Sequence, residues 1–256
     1  MSKLSKSDQF LDLSDYGRPI AKKVAFALKN TRVTPIHITL VFGICGLFAV
    51  YFILNYQFKL AAIFLILKSI IDAIDGELAR VKKTPSYTGR YLDSVFDILL
   101  NALIFAVIGW VSNNNLCLVA LAFFSLQLQG TLYNFYYVIL RNQSLGGDTT
   151  SKIFENKRPE ALPGESQQSV NILFTCYILL YGLFDKIIQN LDKTAFKSSN
   201  FPSWFMSCLS LYGLGFQLLI IALMLSLSLT HYIIPFFIFY NVFLALLILI
   251  RKTRLN

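Results

Sequence analysis

Charge is scarce in this chain: of 256 residues only 14% are Asp, Glu, Lys or Arg, against 55% hydrophobic, and the mean hydropathy is +0.59. That balance excludes a disordered chain, an all-β barrel and a soluble domain of this length. Acids are scarcer than bases, 14 against 23, which leaves a formal charge of +9 to be placed against an anionic surface or substrate. Histidine is nearly missing. His37 and His231 are the only two, and neither has a cysteine or carboxylate at ligand spacing, so neither is given a catalytic role. The four cysteines, Cys45, Cys117, Cys176 and Cys208, stand singly in apolar stretches, which excludes a disulfide framework and a zinc site. The first 32 residues hold seven basic residues and no apolar run, so no cleavable signal peptide is expected. Aromatic residues lie inside apolar runs rather than among basic ones, and no nucleic-acid partner is expected.

What is present is a series of long apolar runs. Six are long enough to cross about 30 Å of hydrocarbon, near residues 35–54, 59–81, 90–111, 116–140, 204–230 and 232–250. The fold class expected is an all-α integral membrane protein, one membrane domain over residues 1–256. Basic residues decide its orientation. The N-terminal segment, Arg80 to Arg90, Arg141 to Lys197 and Arg251 to Arg254 carry all of them except Lys59 and Lys68. By the positive-inside rule both termini and the two larger loops face the cytoplasm.

Residues 1–33 are expected to form a cytoplasmic or interfacial segment, with a helix over Tyr16 to Asn30. There Pro19 stands near the start, and Ile20, Val24 and Leu28 oppose Lys22, Lys23 and Lys29. Residues 141–203 are expected to form a cytoplasmic loop and an in-plane helix between spans four and five. The loop is punctuated by Gly146-Gly147-Asp148, Pro159 and Pro163-Gly164-Glu165. The helix, over 171–189, has the length to span. Were it to cross, Arg251, Lys252 and Arg254 would face outward, against the charge rule.

Carboxylates within a span cost about 2.5–3.5 kcal/mol each at mid-helix, so a cluster of them calls for a reason. Asp72, Asp75, Gly76 and Ala79 share one face of the second span, and Gly89, Asp93 and Asp97 recur every four residues at the start of the third. Two antiparallel helices can therefore converge four carboxylates, which cannot all stay ionised side by side without compensating cations. All-oxygen ligation favours Mg2+ or Mn2+, and paired ions about 3.5–4 Å apart suit displacement at phosphorus. Gly76 and Ala79 leave room for a base or sugar, and Arg80 adds a fixed cation suited to a diphosphate.

Read as one string, Asp72-x2-Asp75-Gly76-x2-Ala79-Arg80-x8-Gly89-x3-Asp93-x3-Asp97 resembles the signature of the CDP-alcohol phosphatidyltransferases at every fixed position and spacing. Thr34-Pro35-Ile36-His37-Ile38-Thr39 is similar to the Thr-Pro-Asn segment common in that family, with Ile36 in the place of Asn. The resemblance implies a CDP-linked donor, two divalent ions, and transfer of the substituted phosphate to an alcohol with release of CMP, in phospholipid biosynthesis. It implies that Asp72, Asp75, Asp93 and Asp97 hold metal and that Asp97 is the general base. It also implies that Asp72, Gly76, Ala79, Arg80 and Gly89 form the nucleotide pocket, and that the protein pairs as a homodimer.

Neither substrate is fixed by these residues. The donor is CDP-diacylglycerol with a water-soluble acceptor, or else a soluble CDP-alcohol with a lipid or sugar acceptor. Lys82, Lys83, Arg90 and Arg141 serve as topology signals or bind a phosphorylated acceptor or lipid phosphate, and Asn101 pairs with a neighbouring helix or orients a ligand. A cation transporter and an inactive scaffold are the rival classes. The first lacks a matching acidic pair in the last three spans, and an intact set of four aspartates with Arg80 argues against the second.

Overall fold

A computed structural model describes residues 4, 8–144, 152–197 and 201–255; the Gly146-Gly147-Asp148 turn lies outside the described residues. Among them all regular structure is helical, as the composition requires. An amphipathic helix α1 (Arg18–Leu28) opens with Pro19 at its first turn and buries Ala21 and Ala25. Helix α2 (Pro35–Leu54) starts on a Thr34 cap completed by His37, whose Nδ1 accepts from the Thr34 N–H at 3.0 Å. His37 is thus a helix-start residue. Helix α3 (Phe58–Lys82) returns antiparallel along α2, with Phe64 packed on Phe48 and Phe52 near one end and Thr39 meeting Asp75 near the other.

Helix α4 (Tyr87–Val111) lies close against α2, where a Cβ on Gly46 would stand 2.7 Å from Leu100 Cδ1. That close approach brings the aspartates of α4 beside those of α3. Helix α5 (Leu116–Ser144) and helix α9 (Thr230–Arg254) run side by side, joined by Gln129 to the Phe237 carbonyl and to Asn241. Between them in sequence come α6 (Gln167–Leu191), α7 (Ser203–Leu209) and α8 (Leu214–Ser226). The main apolar core joins α2, α3, α4, α5, α8 and α9, including Leu65, Phe105, Ile108, Ile221 and Phe237.

Among the described residues five helices are long and apolar enough to cross a membrane, and α7 with α8 would make a sixth if counted as one bent span. This set differs from the expected one at three places. The run expected over 204–230 is broken, its halves bent by 51° at Gly213, where a Cβ would overlap Ser14 of the N-terminal segment. Helix α3 falls short on charge alone, since Lys68, Asp72, Asp75, Glu77, Arg80 and Lys82 crowd its second half.

Helix α6 is apolar enough to cross, yet both its ends are tied to one end of the bundle. Glu165, just before its cap, binds the first turn of α4, and Asp192, its C-cap, pairs with Arg251 in the last turn of α9. These two turns share an end because the far end of α4 meets the start of α9, with His231 Nδ1 3.2 Å from the Ser112 carbonyl. Both ends of the helix are therefore tied toward one end of the bundle, while its length and composition also fit a span.

Candidate active site

Each of the motif carboxylates is placed by a helix that the sequence fixes locally. On α3 the three-residue spacing turns Asp72 and Asp75 the same way. On α4 the helix start is held by Ser86, whose Oγ accepts from the Gly89 N–H at 2.8 Å, so Asp93 sits one turn above a capped end. The result is that carboxylate oxygens of Asp72, Asp75 and Asp93 lie within 4.8 Å of one another. Asp93 Oδ1 is buried and accepts no hydrogen bond. Three carboxylates with oxygens at that spacing, one of them with a buried oxygen that lacks a donor, form a set that a hard divalent ion fits, and their all-oxygen chemistry suits Mg2+ or Mn2+. Thr39 Oγ1, 2.8 Å from Asp75 Oδ2, orients that carboxylate from α2, so the Thr34 to Thr39 segment reaches the site through Thr39.

Asp97 stands apart from this trio. Its Oδ1 is 2.6 Å from the ammonium of Lys68, one turn before Asp72 on α3. Lys68 is 0% exposed and also lies 4.9 Å from the centre of the Phe42 ring. The structure thus divides the expected quartet into three mutually close carboxylates and a fourth engaged by a buried lysine. Lys68 had a legible signal, a lone cation inside an apolar run and one turn from an acid, but only the packing of both α3 and α4 on α2 brings Asp97 to it.

Of the residues expected around a nucleotide, Gly76 and Arg80 are adjacent. The Arg80 guanidinium folds back over Gly76, a Cβ there lying 3.6 Å from both terminal nitrogens. It pairs with Glu77 at 2.9 Å, and Glu77 also receives Arg18 at 2.8 Å. Beside this network is a cavity of about 560 Å3 lined by Asp12, Arg18, Lys22, Glu77 and Tyr137 among others. Gly89 is in the first turn of α4, where a Cβ would meet the helix's own cap Ser86 at 3.2 Å and Ile36 of α2 at 3.9 Å. Ala79 is on the same α3 face as Asp72 and Asp75 by its spacing, one residue from Arg80.

The loop between α5 and α6 proves to be a working piece of the site's frame. Glu165 accepts hydrogen bonds from Ser86 Oγ, Thr88 N–H and Tyr87 N–H at 2.7, 2.7 and 3.1 Å, which places an anion on the first turn of the helix that carries Asp93 and Asp97. Burial raises the pKa of this carboxyl, but the donors from Ser86, Thr88 and Tyr87 outweigh it and hold Glu165 below its ordinary 4.5. Gly164, at φ +90°, makes the turn that presents it, a conformation in which a Cβ would be strained. Ten residues earlier Glu155 pairs with Arg90 at 2.5 Å and accepts from Tyr91 Oη at 3.0 Å. Arg90 and Lys82 therefore have structural partners, Lys82 donating to the Thr31 and Val33 carbonyls at 2.7 Å each. Glu155 and Glu165 were not found from the sequence, where nothing local distinguishes them from other loop acids.

Comparison with known proteins agrees with this geometry. A curated relative, the bifunctional IPC transferase and DIPP synthase of Thermococcus kodakarensis, is 34% identical over 97 residues, which cover 38% of this chain and 22% of that protein. The chain thus matches about a fifth of the relative's length. The family model for CDP-alcohol phosphatidyltransferase matches residues 32–162, a stretch that contains α2, α3, α4, α5 and every residue of the aspartate motif. The chain belongs to the CDP-alcohol phosphatidyltransferase family.

Proposed function

We propose that this membrane transferase moves a substituted phosphate from a CDP-linked donor, CDP-diacylglycerol, to the hydroxyl of a water-soluble alcohol, releasing CMP. The observation that carries the reading is the convergence of Asp72, Asp75 and Asp93 from two helices, at the spacing of the family's motif. Asp72, Asp75 and Asp93 would hold the metal, with Asp97 completing the set for a second ion. Bound there, divalent ions neutralise charge on the diphosphate and polarise the reacting phosphorus.

The protein's own groups supply the rest. Asp97 takes the proton from the acceptor hydroxyl through the oxygen that Lys68 does not hold, which turns a weak nucleophile into a competent one. As the acceptor oxygen bonds to phosphorus, the bond from phosphorus to the CMP oxygen breaks and CMP leaves with the electron pair. Gly76, Ala79, Arg80 and Gly89, with Asp72, shape the nucleotide pocket, Arg80 being steadied by Glu77 for a diphosphate. The distribution of basic residues supports a site and both termini on the cytoplasmic side, where cytidine nucleotides and soluble acceptors are found. Pairing as a homodimer belongs to the same reading.

The test is CMP release by the full chain in lipid with Mg2+ or Mn2+, across CDP-diacylglycerol and soluble CDP-alcohols, and acceptors including glycerol phosphate, serine, inositol and inositol phosphate. One productive pair names the reaction. Release only from a soluble CDP-alcohol with a lipid or sugar acceptor would replace the proposed donor. Failure of any cytidine nucleotide to bind would overturn the transferase reading for this chain.

A further inference from the structure

The buried Lys68–Asp97 pair has a consequence for how the site takes up metal. Asp72, Asp75, Asp93 and Asp97 together carry four formal negative charges, and among the described residues Lys68 pairs with this group through Asp97. Arg80 does not enter this balance, because Arg18 and Arg80 are matched by Glu77 and Asp15. The ammonium is fully buried, 2.6 Å from Asp97 Oδ1, with Asp72 and Asp93 also within electrostatic reach. It cannot move into water without leaving the Phe42 face on α2 and breaking its ion pair with Asp97.

One divalent ion among Asp72, Asp75 and Asp93 leaves the four carboxylates and Lys68 with one net negative charge, and a second ion would overshoot to one positive charge. The first ion lowers the net charge from three negative to one, whereas the second leaves its size unchanged and only reverses its sign, so in a low-polarity site the second gains little. The second ion becomes acceptable when a diphosphate brings negative charge with it.

We propose that Lys68 governs metal loading: its ammonium holds Asp97 in the free protein, so that one divalent ion binds tightly, at Asp72, Asp75 and Asp93, and a second is admitted only together with the donor's diphosphate. Lys68 is in this sense a positioning residue, acting on the reaction through Asp97 and through the order in which ions arrive. The inference rests on the transferase reading for the identity of the diphosphate, and its test is read on metal binding without turnover.

The experiment is Mn2+ titration of the full chain in lipid nanodiscs, followed by electron paramagnetic resonance and by the count of bound ions. The free wild type binds one tight ion with the spectrum of an isolated Mn2+. Addition of CDP or of inorganic pyrophosphate brings a second, with a spin-coupled spectrum. Lys68→Met binds two ions without any diphosphate, the second at least about a hundredfold tighter than in wild type, because like charges roughly 4 Å apart repel strongly even at an effective dielectric of about 20. Lys68→Arg, which keeps the charge, retains the wild-type order. Two tight ions in the free wild type, no second ion with either diphosphate, or a single ion in folded Lys68→Met would overturn the proposal. Should Lys68→Met not fold, Lys68→Gln, which removes the charge but keeps a donor for Asp97, takes its place with the same two-ion result expected, and a single ion there overturns the proposal. A second ion with pyrophosphate but not with CDP upholds the loading order while removing CDP from the proposed function.

Discussion

Glu165→Ala removes an anion from the start of α4 without touching any aspartate. The carboxylate accepts from Ser86 Oγ and from the Tyr87, Thr88 and Leu162 N–H groups. A hydrogen bond to a charged group contributes about 1.5–3 kcal/mol, and an anion at a helix start about 0.3–1 kcal/mol. These bonds share one half-buried carboxylate, and water replaces part of them in the variant, so the expected net loss is about 1–2 kcal/mol, or roughly a 5–30-fold change in local opening.

Hydrogen exchange read by mass spectrometry over residues 86–92 measures it directly, since the Tyr87 and Thr88 amides are the donors. Glu165→Gln, which keeps one acceptor oxygen, falls between the two. The pH dependence has a definite sign. Because the folded pKa lies below 4.5, the contribution is complete above 4.5 and fades as pH falls through the lower folded value, so wild type and Glu165→Ala converge in acid. Equal exchange in the two proteins at neutral pH, or a gap that widens on acidification, would refute the assignment of Glu165 as the anchor of this helix.

Asp97→Asn is expected to lower CMP release by about 10²- to 10⁴-fold, the range for a lost general base, with nucleotide affinity little changed; retention of full turnover would remove Asp97 from that role. Asp93→Asn should weaken Mn2+ binding in the free protein more than Asp97→Asn does, because Asp93 is in the close trio and Asp97 is held by Lys68; the reverse order in a titration would contradict the geometry. Arg251→Met leaves Asp192 buried beside Tyr136 with its cation gone, and should cost about 3–5 kcal/mol, read as a large drop in thermal midpoint; the double variant with Asp192→Leu should recover much of it. Thr39→Val removes the donor to Asp75 and should loosen metal binding severalfold, for a bond of about 1.5–3 kcal/mol partly replaced when the ion is present.

The helices and the motif were legible because both rest on short-range rules. Apolar run length located α2, α4, α5 and α9, and the spacing of three and four residues placed Asp72 with Asp75 and Asp93 with Asp97 on their respective faces. Apolar length counts α6 among the candidate spans, whereas the charge distribution argues against its crossing. What the sequence hid depends on contacts between distant segments. At the bend by Gly213 the chain passes so close to Ser14 that a Cβ would overlap it, and nothing near Gly213 in the chain announces Ser14. Glu165 anchors α4 across 77 to 79 residues, and Lys68 meets Asp97 across 29, so neither partner is visible in a local window. Spacing alone also made Asp97 equivalent to Asp93, and only the buried ammonium tells them apart.

The charge that keeps α3 from qualifying as a span has a bearing on how the protein is made. At about 2.5–3.5 kcal/mol for each mid-helix charge, a segment with Lys68, Asp72 and Asp75 in its apolar stretch would not partition from the translocon into lipid unaided. Its acids and lysine are matched by Thr39 on α2 and Asp97 on α4. Insertion of α3 is therefore expected to improve when α2 and α4 are present, which comparing membrane integration of α2–α3 with that of α2–α3–α4 would test. The residues that equip the chain for phosphorus chemistry are the ones that make its second membrane helix depend on its neighbours to enter the bilayer.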